Sequence, residues 1–191
     1  MPDPAGPGGP YARYRTEVRE EWIDYNGHLR DAGYAIVLSE ANETLLAHLG
    51  LSEAYRTDTG RAMYTAESHI RYLSEARRGN VIGAESLLVS ADVKRLRVHT
   101  LLRRDDGVPV ATGEYVYLHV DQAAGGVTAM SPDRWAAVDA LLSAHAPLAS
   151  QSRTRTLRAP LPARSASNAL FSSSSPMRRV MSSASSRFPD R

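Results

Sequence analysis

Five consecutive residues, Asp24-Tyr25-Asn26-Gly27-His28, place a carboxylate, an amide and an imidazole close together in the chain. A carboxylate can attack a carbonyl carbon directly, or it can activate a water molecule as a general base. Short polar residues ahead of a helix are also its usual N-caps, and an isolated histidine is more often structural than catalytic. The spacing alone therefore leaves two interpretations open, an active site and a helix cap.

A long helix follows this segment. Between Asp31 and Leu49, apolar residues recur every three or four positions, which predicts about five turns with one buried face. Gly50 is the expected C-terminal stop, and the short polar side chains of residues 24–26 are expected to cap the helix start. The helix N-terminus would then lie at residues 24–28 and offer backbone amides that have no partners within the helix.

Strand patterns surround this helix. They predict five strands, over residues 14–22, 63–73, 81–93, 95–103 and 109–121. A last helix is expected from Ser131-Pro132-Asp133 to about His145. Consecutive strands with short connections form an antiparallel sheet, and the long helix must pack on it to bury its apolar face. The predicted fold is α+β, a curved antiparallel sheet of about five strands around one long central helix, with an extra C-terminal helix.

The two ends of the chain differ in composition from the middle. Residues 1–13 are rich in Pro and Gly, and residues 150–191 contain 12 Ser and 8 Arg, so both segments are predicted to be disordered. A single domain is therefore expected over residues 14–146. The last segment carries a net charge of +7 and residues 1–149 carry −5, which argues against a nucleic-acid-binding body.

Several classes of protein are excluded or disfavoured. The chain has no cysteine, so disulfides, thiolate nucleophiles and cysteine-based zinc sites are excluded. No apolar run is long enough to span a membrane, and the first ten residues lack the features of a secretory signal. His69, His99 and His119 are not spaced as metal ligands. We expect a cytoplasmic protein without a metal site, membrane contact or nucleic-acid partner.

The segment Glu21–Tyr34 resembles the active-site signature of hotdog-fold thioesterases of the 4-hydroxybenzoyl-CoA type. In that family an Asp-x-Asn-Gly-His stretch lies between the first strand and the central helix, as Asp24 to His28 would here. The resemblance covers about residues 14–121. With Trp22 and Leu29-Arg30-Asp31 included, the segment is most similar to the betainyl-CoA thioesterases of bacterial carnitine metabolism. Together with the order of helix and strands, the match favours an active site over a simple cap.

The resemblance implies hydrolysis of a small acyl-CoA thioester, with no cofactor beyond the coenzyme A of the substrate. Asp24 would be the nucleophile or the general base, and the sequence leaves both routes open. Backbone amides at the helix start near Gly27 would polarise the thioester carbonyl, with Asn26 and His28 as helpers. Glu67 is a second candidate for the base, because some hotdog enzymes use a glutamate.

Other residues are candidates for substrate binding. Aromatic rings would hold an acyl group that carries a quaternary ammonium, and basic side chains would meet the phosphates of CoA. The aromatic candidates are Trp22, Tyr25, Tyr34, Tyr64 and Tyr72, and the basic candidates are Arg77, Arg78, Lys94 and Arg95. Ordinary packing and exposure on a strand face are the alternative explanations of these residues.

The resemblance also implies assembly. Hotdog sheets join edge to edge, so a homodimer or tetramer with active sites between subunits is expected, and pairing would also cover exposed strand edges. The alternatives to an acyl-CoA thioesterase are an acyl-carrier-protein thioesterase, a non-catalytic acyl-CoA-binding hotdog protein, and an interaction protein that acts through its Ser/Arg-rich tail.

Overall fold

The computed structural model describes residues 8–151. The strands are β1 (Tyr11–Glu17), β2 (Arg61–Tyr72), β3 (Val81–Asp92), β4 (Arg95–Arg104), β5 (Pro109–Asp121) and the two-residue β6 (Gly126–Val127). The helices are α1 (Asp31–His48), α2 (Glu53–Thr59) and α3 (Pro132–Gln151). All strand pairs are antiparallel, and the five long strands run in the order β1-β3-β4-β5-β2. The predicted α+β architecture with a C-terminal helix is confirmed.

The sheet packs one face on α1. Val37, Leu38, Ala41 and Leu45 of α1 are buried, at the three- and four-residue spacing that indicated a helix with one apolar face. Gly113 on β5 lets the two elements approach closely, since a Cβ at that position would lie 2.9 Å from both Leu38 Cδ atoms. The central helix is thereby held against the middle of the sheet.

The boundaries of β1 differ from the prediction. The strand begins at Tyr11, inside the predicted leader, because the Tyr11 ring is buried and its hydroxyl donates a hydrogen bond to the Thr44 carbonyl on α1. The strand ends at Glu17, and residues 20–22 form one turn of 3-10 helix that buries Trp22. Residues 1–7 lie outside the described residues.

The C-terminal helix is longer than predicted. It continues beyond His145 to Gln151 and includes Pro147. His145 is buried and its Nδ1 accepts a hydrogen bond from the Leu88 amide at 2.9 Å, which fixes the helix to β3. The predicted tail beyond residue 151 lies outside the described residues. Within residues 8–151, no helix is both long and apolar enough to cross a membrane.

Candidate active site

The segment of residues 24–28 is a tight loop held by its own hydrogen bonds. The Asp24 Oδ1 atom accepts from the backbone amides of Asn26 at 2.8 Å and His28 at 3.1 Å. The Gly27 amide donates to the Asp24 carbonyl at 3.1 Å, and the φ of Gly27 is +79°, a left-handed conformation that favours glycine. Ile23 and Leu29 pair as an antiparallel bridge on either side of the loop.

This arrangement corrects the predicted start of the central helix. The helix begins at Asp31 with Arg30 as its N-cap residue, and no side chain caps it. The carboxylate of Asp24 bonds amides of its own loop, so it is not the helix cap. Gly27 is likewise outside the first helical turn, and its amide is already bonded. The predicted role of the Gly27 region as the helix start is therefore wrong.

One backbone donor remains open at the true helix start. The Ala32 amide donates to Asp31 Oδ1 at 2.8 Å, and the Gly33 amide donates to the Arg30 carbonyl at 2.9 Å. For the Asp31 amide, by contrast, residues 8–151 supply no acceptor. This donor sits at the positive end of the α1 dipole, where a developing negative charge is favoured.

The Asp24 carboxylate is ionised at neutral pH. The hydrogen bond from the His28 amide, with a smaller contribution from Asn26, lowers the pKa of Asp24 below its ordinary value. The backbone amides of Asn26 and His28 both donate to the Oδ1 atom of Asp24. A carboxylate that is ionised and fixed in this way has the form that nucleophilic attack or water activation requires.

A groove of about 360 Å³ opens beside the loop. It is lined by His28, Leu29, Asp31, Tyr34, Tyr72, Leu73, Ser74 and Glu75. The lining therefore combines the end of the loop, the first turn of α1 and the segment that follows β2. Asp31 lines the groove and is also the first residue of α1, and it carries the open amide. His28 lines the groove and donates its backbone amide to the Asp24 carboxylate.

The far wall of the groove is fixed by hydrogen bonds to the helix and the loop. The Tyr34 hydroxyl donates to the Ser74 carbonyl and accepts from the Ala76 amide, both at 3.1 Å. The Leu29 amide donates to the Ala76 carbonyl at 2.7 Å. Burial raises the pKa of Tyr34, so its hydroxyl stays protonated and keeps both bonds at neutral pH.

Glu75 is held within this wall. Its carbonyl accepts from Arg104 Nη1 at 2.9 Å, and the Arg104 guanidinium is also paired with Asp106 at 2.6 Å. The Glu75 Oε2 atom lies 3.0 Å from His28 Nε2. Glu75 is not among the residues that the sequence pattern indicated for the site. No local signal marks it, because the contact to His28 exists only in the folded chain.

Several predicted residues lie away from the groove in a single copy of the chain. Tyr64 and Arg95 flank the same residue of β5, Leu118, at the opposite end of the sheet, and Lys94 precedes Arg95 there. Tyr64 and Tyr72 are separated along β2 by roughly 25 Å at the usual rise of a strand. Glu67 is exposed near the middle of β2, beside a bulge, and has no contact with residues 24–28.

Two predicted aromatic candidates are also outside the groove. Trp22 is buried, and the Arg19 guanidinium lies 4.7 Å from the centroid of its ring. Tyr25 is 97% exposed at the tip of the loop. Neither ring lines the groove, so of the five aromatic candidates the structure brings together Tyr34 and Tyr72.

The basic candidates near the groove differ in their pairing. Arg78 forms an ion pair with Glu20 at 2.7 Å. Arg77 is exposed two residues after Glu75, and within the described part of the chain its guanidinium has no carboxylate partner. Of the four basic residues that the sequence indicated for CoA phosphates, Arg77 is therefore the one placed beside the groove with its charge open.

Comparisons with known sequences show which family the chain matches. The family described as the Thioesterase-like superfamily matches residues 18–157. A protein of Agrobacterium fabrum named L-carnitine dehydrogenase/betainyl-CoA thioesterase is 42% identical over 132 residues, which are 69% of this chain and 27% of that protein. A Pseudomonas aeruginosa protein named betainyl-CoA thioesterase is 38% identical over 133 residues, 69% of this chain and 84% of that protein.

A comparison with solved structures gives the same fold. A Staphylococcus aureus protein determined in complex with CoA superposes with a TM-score of 0.69 at 26% identity, covering 74% of this chain and 89% of that chain. The chain spans about a quarter of the fused Agrobacterium relative and most of the Pseudomonas relative.

Proposed function

This chain belongs to the Thioesterase-like superfamily of hotdog proteins, and on that basis we propose that it hydrolyses small acyl-CoA thioesters to a free acid and CoA. One observation carries the proposal: His28, whose amide bonds the ionised Asp24, lines one groove together with Asp31, whose amide is open at the start of α1. Two relatives are named betainyl-CoA thioesterases, which makes betainyl-CoA the first substrate to test.

The reaction needs negative charge to develop on the thioester carbonyl oxygen. With that oxygen at the Asp31 amide, one hydrogen bond and the α1 dipole stabilise the charge, a contribution of roughly 3–4 kcal/mol where comparable donors have been removed. Asp24 then either removes a proton from the attacking water or attacks the carbonyl itself. In both routes the C–S bond breaks and CoA leaves as the thiolate. In the general-base route, the proton that Asp24 took from water passes to the sulfur. In the nucleophilic route, the acyl group stays on Asp24 as an anhydride, and a water molecule then hydrolyses it to the free acid, regenerates the carboxylate and supplies the proton to the sulfur.

His28 and Glu75 support this centre. The His28 amide holds Asp24, while the His28 ring is oriented by Glu75 at 3.0 Å. We assign His28 the positioning of Asp24 and of the groove wall. The backbone amide of Asn26 donates a second hydrogen bond to the Asp24 carboxylate. Glu67, exposed on β2, has no part in this centre within one copy of the chain.

The part of CoA beyond the thioester is expected to extend out of the groove and along the protein surface. Arg77 is the basic residue placed to meet a CoA phosphate there, as a charge-assisted donor. The proposal needs no metal and no cofactor other than the CoA of the substrate. It includes a cytoplasmic location, where CoA thioesters are made and used.

A homodimer is part of the proposal. β2 is a 12-residue edge strand, and residues 65–69 are exposed along it. A long uncovered edge of this kind favours pairing with a second copy. Antiparallel pairing of two β2 strands would bring the Tyr64 end of one copy towards the Tyr72 groove of the other. Light scattering should then give about twice the 20.8 kDa chain mass, and a fully active monomer would contradict this part.

The proposal is tested by following thiol release from a panel of purified substrates. The panel contains acetyl-, butyryl-, benzoyl- and betainyl-CoA, with the same acyl groups on acyl-carrier protein. We expect turnover of at least one small acyl-CoA that is lost in the Asp24→Asn variant. Turnover confined to the carrier-protein substrates would favour the carrier-protein thioesterase, and binding without turnover would favour the non-catalytic protein.

A further inference from the structure

We propose that the groove selects acyl groups bearing a quaternary ammonium, through the ring of Tyr72 and the carboxylate of Glu75. The inference rests on the proposed function, because the thioester must lie at the same groove. Two independent features of the lining support it, an exposed aromatic ring and an excess of negative charge.

Tyr72 supplies the aromatic surface. It is 54% exposed, whereas Tyr34 is buried beneath it. The two rings form an edge contact with centroids 5.5 Å apart and planes at 72°. This contact and the end of β2 hold the Tyr72 ring while leaving much of its surface open to the groove. An exposed, fixed ring of this kind attracts a quaternary ammonium by cation–π interaction.

The charge of the lining points to a cationic occupant. Among the described residues, the groove is lined by the carboxylates of Asp31 and Glu75 and by no Lys or Arg. Leu29 and Leu73 complete the lining with apolar surface suited to methyl groups. CoA is itself anionic, so two carboxylates would repel its phosphates. The acidic lining is therefore matched to the acyl group rather than to the nucleotide.

The backbone of Glu75 is fixed, and its side chain, which is 66% exposed, is directed to His28. The backbone on either side of it is bonded to Tyr34, and its own carbonyl is bonded to Arg104. One carboxylate oxygen meets His28, and the described residues leave the other without a partner. A charge fixed before binding costs little ordering when the ligand arrives, which increases its effect on affinity.

The position of the charge also limits the acyl group. In a betaine-type thioester, the ammonium nitrogen is separated from the carbonyl carbon by one methylene, so the site for the cation must adjoin the site for the carbonyl. Tyr72 and Glu75 are consistent with this requirement, because they line the same groove of about 360 Å³ as Asp31, whose amide is proposed to receive the carbonyl oxygen.

The test uses two substrates that differ in one atom. Betainyl-CoA carries a trimethylammonium group, and 3,3-dimethylbutyryl-CoA carries a tert-butyl group of nearly the same shape without the charge. We expect kcat/KM for betainyl-CoA to exceed that for the neutral substrate at least tenfold. The variants Tyr72→Leu and Glu75→Gln should each lower kcat/KM for betainyl-CoA by about two- to fivefold, the scale of a cation–π or ionic contact at a partly exposed site. In both variants the ratio of kcat/KM for betainyl-CoA to kcat/KM for the neutral substrate should fall.

Matched controls separate charge recognition from folding. Tyr72→Phe keeps the aromatic face and should retain the preference for betainyl-CoA. Glu53→Gln removes an exposed carboxylate on α2, distant from the groove, and should leave both substrates unchanged. Equal hydrolysis of the two substrates by the unmodified protein would overturn the inference while leaving the proposed function intact. Equal losses on both substrates in the two variants would also overturn it, whereas no hydrolysis of any acyl-CoA would overturn the proposed function itself.

Discussion

Replacement of Asp24 by asparagine separates the chemistry of this residue from its structural role. The wild-type Oδ1 atom accepts two backbone amides, at 2.8 and 3.1 Å. Asparagine offers one oxygen in the same position, so the loop can keep both bonds. What the substitution removes is the negative charge and the ability to accept a proton or attack a carbonyl.

The expected effects on stability and on activity are therefore very different. Because the hydrogen bonds persist, the denaturant midpoint of unfolding should change little when the charged acceptor becomes neutral. The loss of a general base or nucleophile should lower kcat by at least about 100-fold, equivalent to about 2.7 kcal/mol in the activation barrier. Asp24→Ala is the matched variant, since it removes the acceptor as well and should unfold at a lower denaturant concentration than Asp24→Asn.

The assay follows thiol release from the best substrate of the panel for all three proteins, with denaturant unfolding measured in parallel. Circular dichroism of Asp24→Asn should match the unmodified protein. A rate within about threefold of the unmodified protein would show that Asp24 only closes the loop, and the mechanism proposed above would then be wrong.

Three further predictions concern the loop, the groove wall and the dependence on pH. Gly27→Ala should lower the free energy of unfolding by about 1 kcal/mol, because a backbone φ of +79° is strained for any residue with a Cβ. The space around Gly27 is open, so no steric clash adds to this strain. An unchanged midpoint of denaturant unfolding would contradict this prediction. Tyr34→Phe should lower the free energy of unfolding by about 1–3 kcal/mol, since it leaves the buried Ala76 amide without its acceptor. The same variant should lower kcat/KM for betainyl-CoA, because the backbone beside Glu75 is then held less firmly. An unchanged free energy of unfolding would show that this hydrogen bond does not stabilise the protein. Burial lowers the pKa of His119 and of His145 below the ordinary 6.5, so the unfolded chain binds more protons than the folded chain as the pH falls. The free energy of unfolding should therefore decrease below about pH 6.5. A free energy of unfolding that rises between pH 7 and pH 5.5 would refute this sign.

Sequence periodicity predicted most of the secondary structure, since each element is encoded by neighbours along the chain. The apolar spacing over residues 31–49 matched α1 to within a residue, although the helix start expected at residues 24–28 was wrong. The strand β5 was predicted with its observed bounds. The prediction failed where tertiary contacts extend an element, as at Tyr11, which is held by Thr44 on α1. The two-turn helix α2 was not predicted, because seven residues are too few for a periodic signal.

What the sequence by itself determined about the site is the loop at Asp24, because its hydrogen bonds join residues at most four positions apart. The composition of the groove was decided by the tertiary structure. Tyr34 bonds residues 40 and 42 positions away, and the register of β2 on β5 carries Tyr72 to the start of α1. Five aromatic residues were equal candidates in the sequence, and folding left one exposed ring in the groove and set Glu75 near it. Such contacts depend on how strands pair and where a helix packs, so no local pattern can specify them.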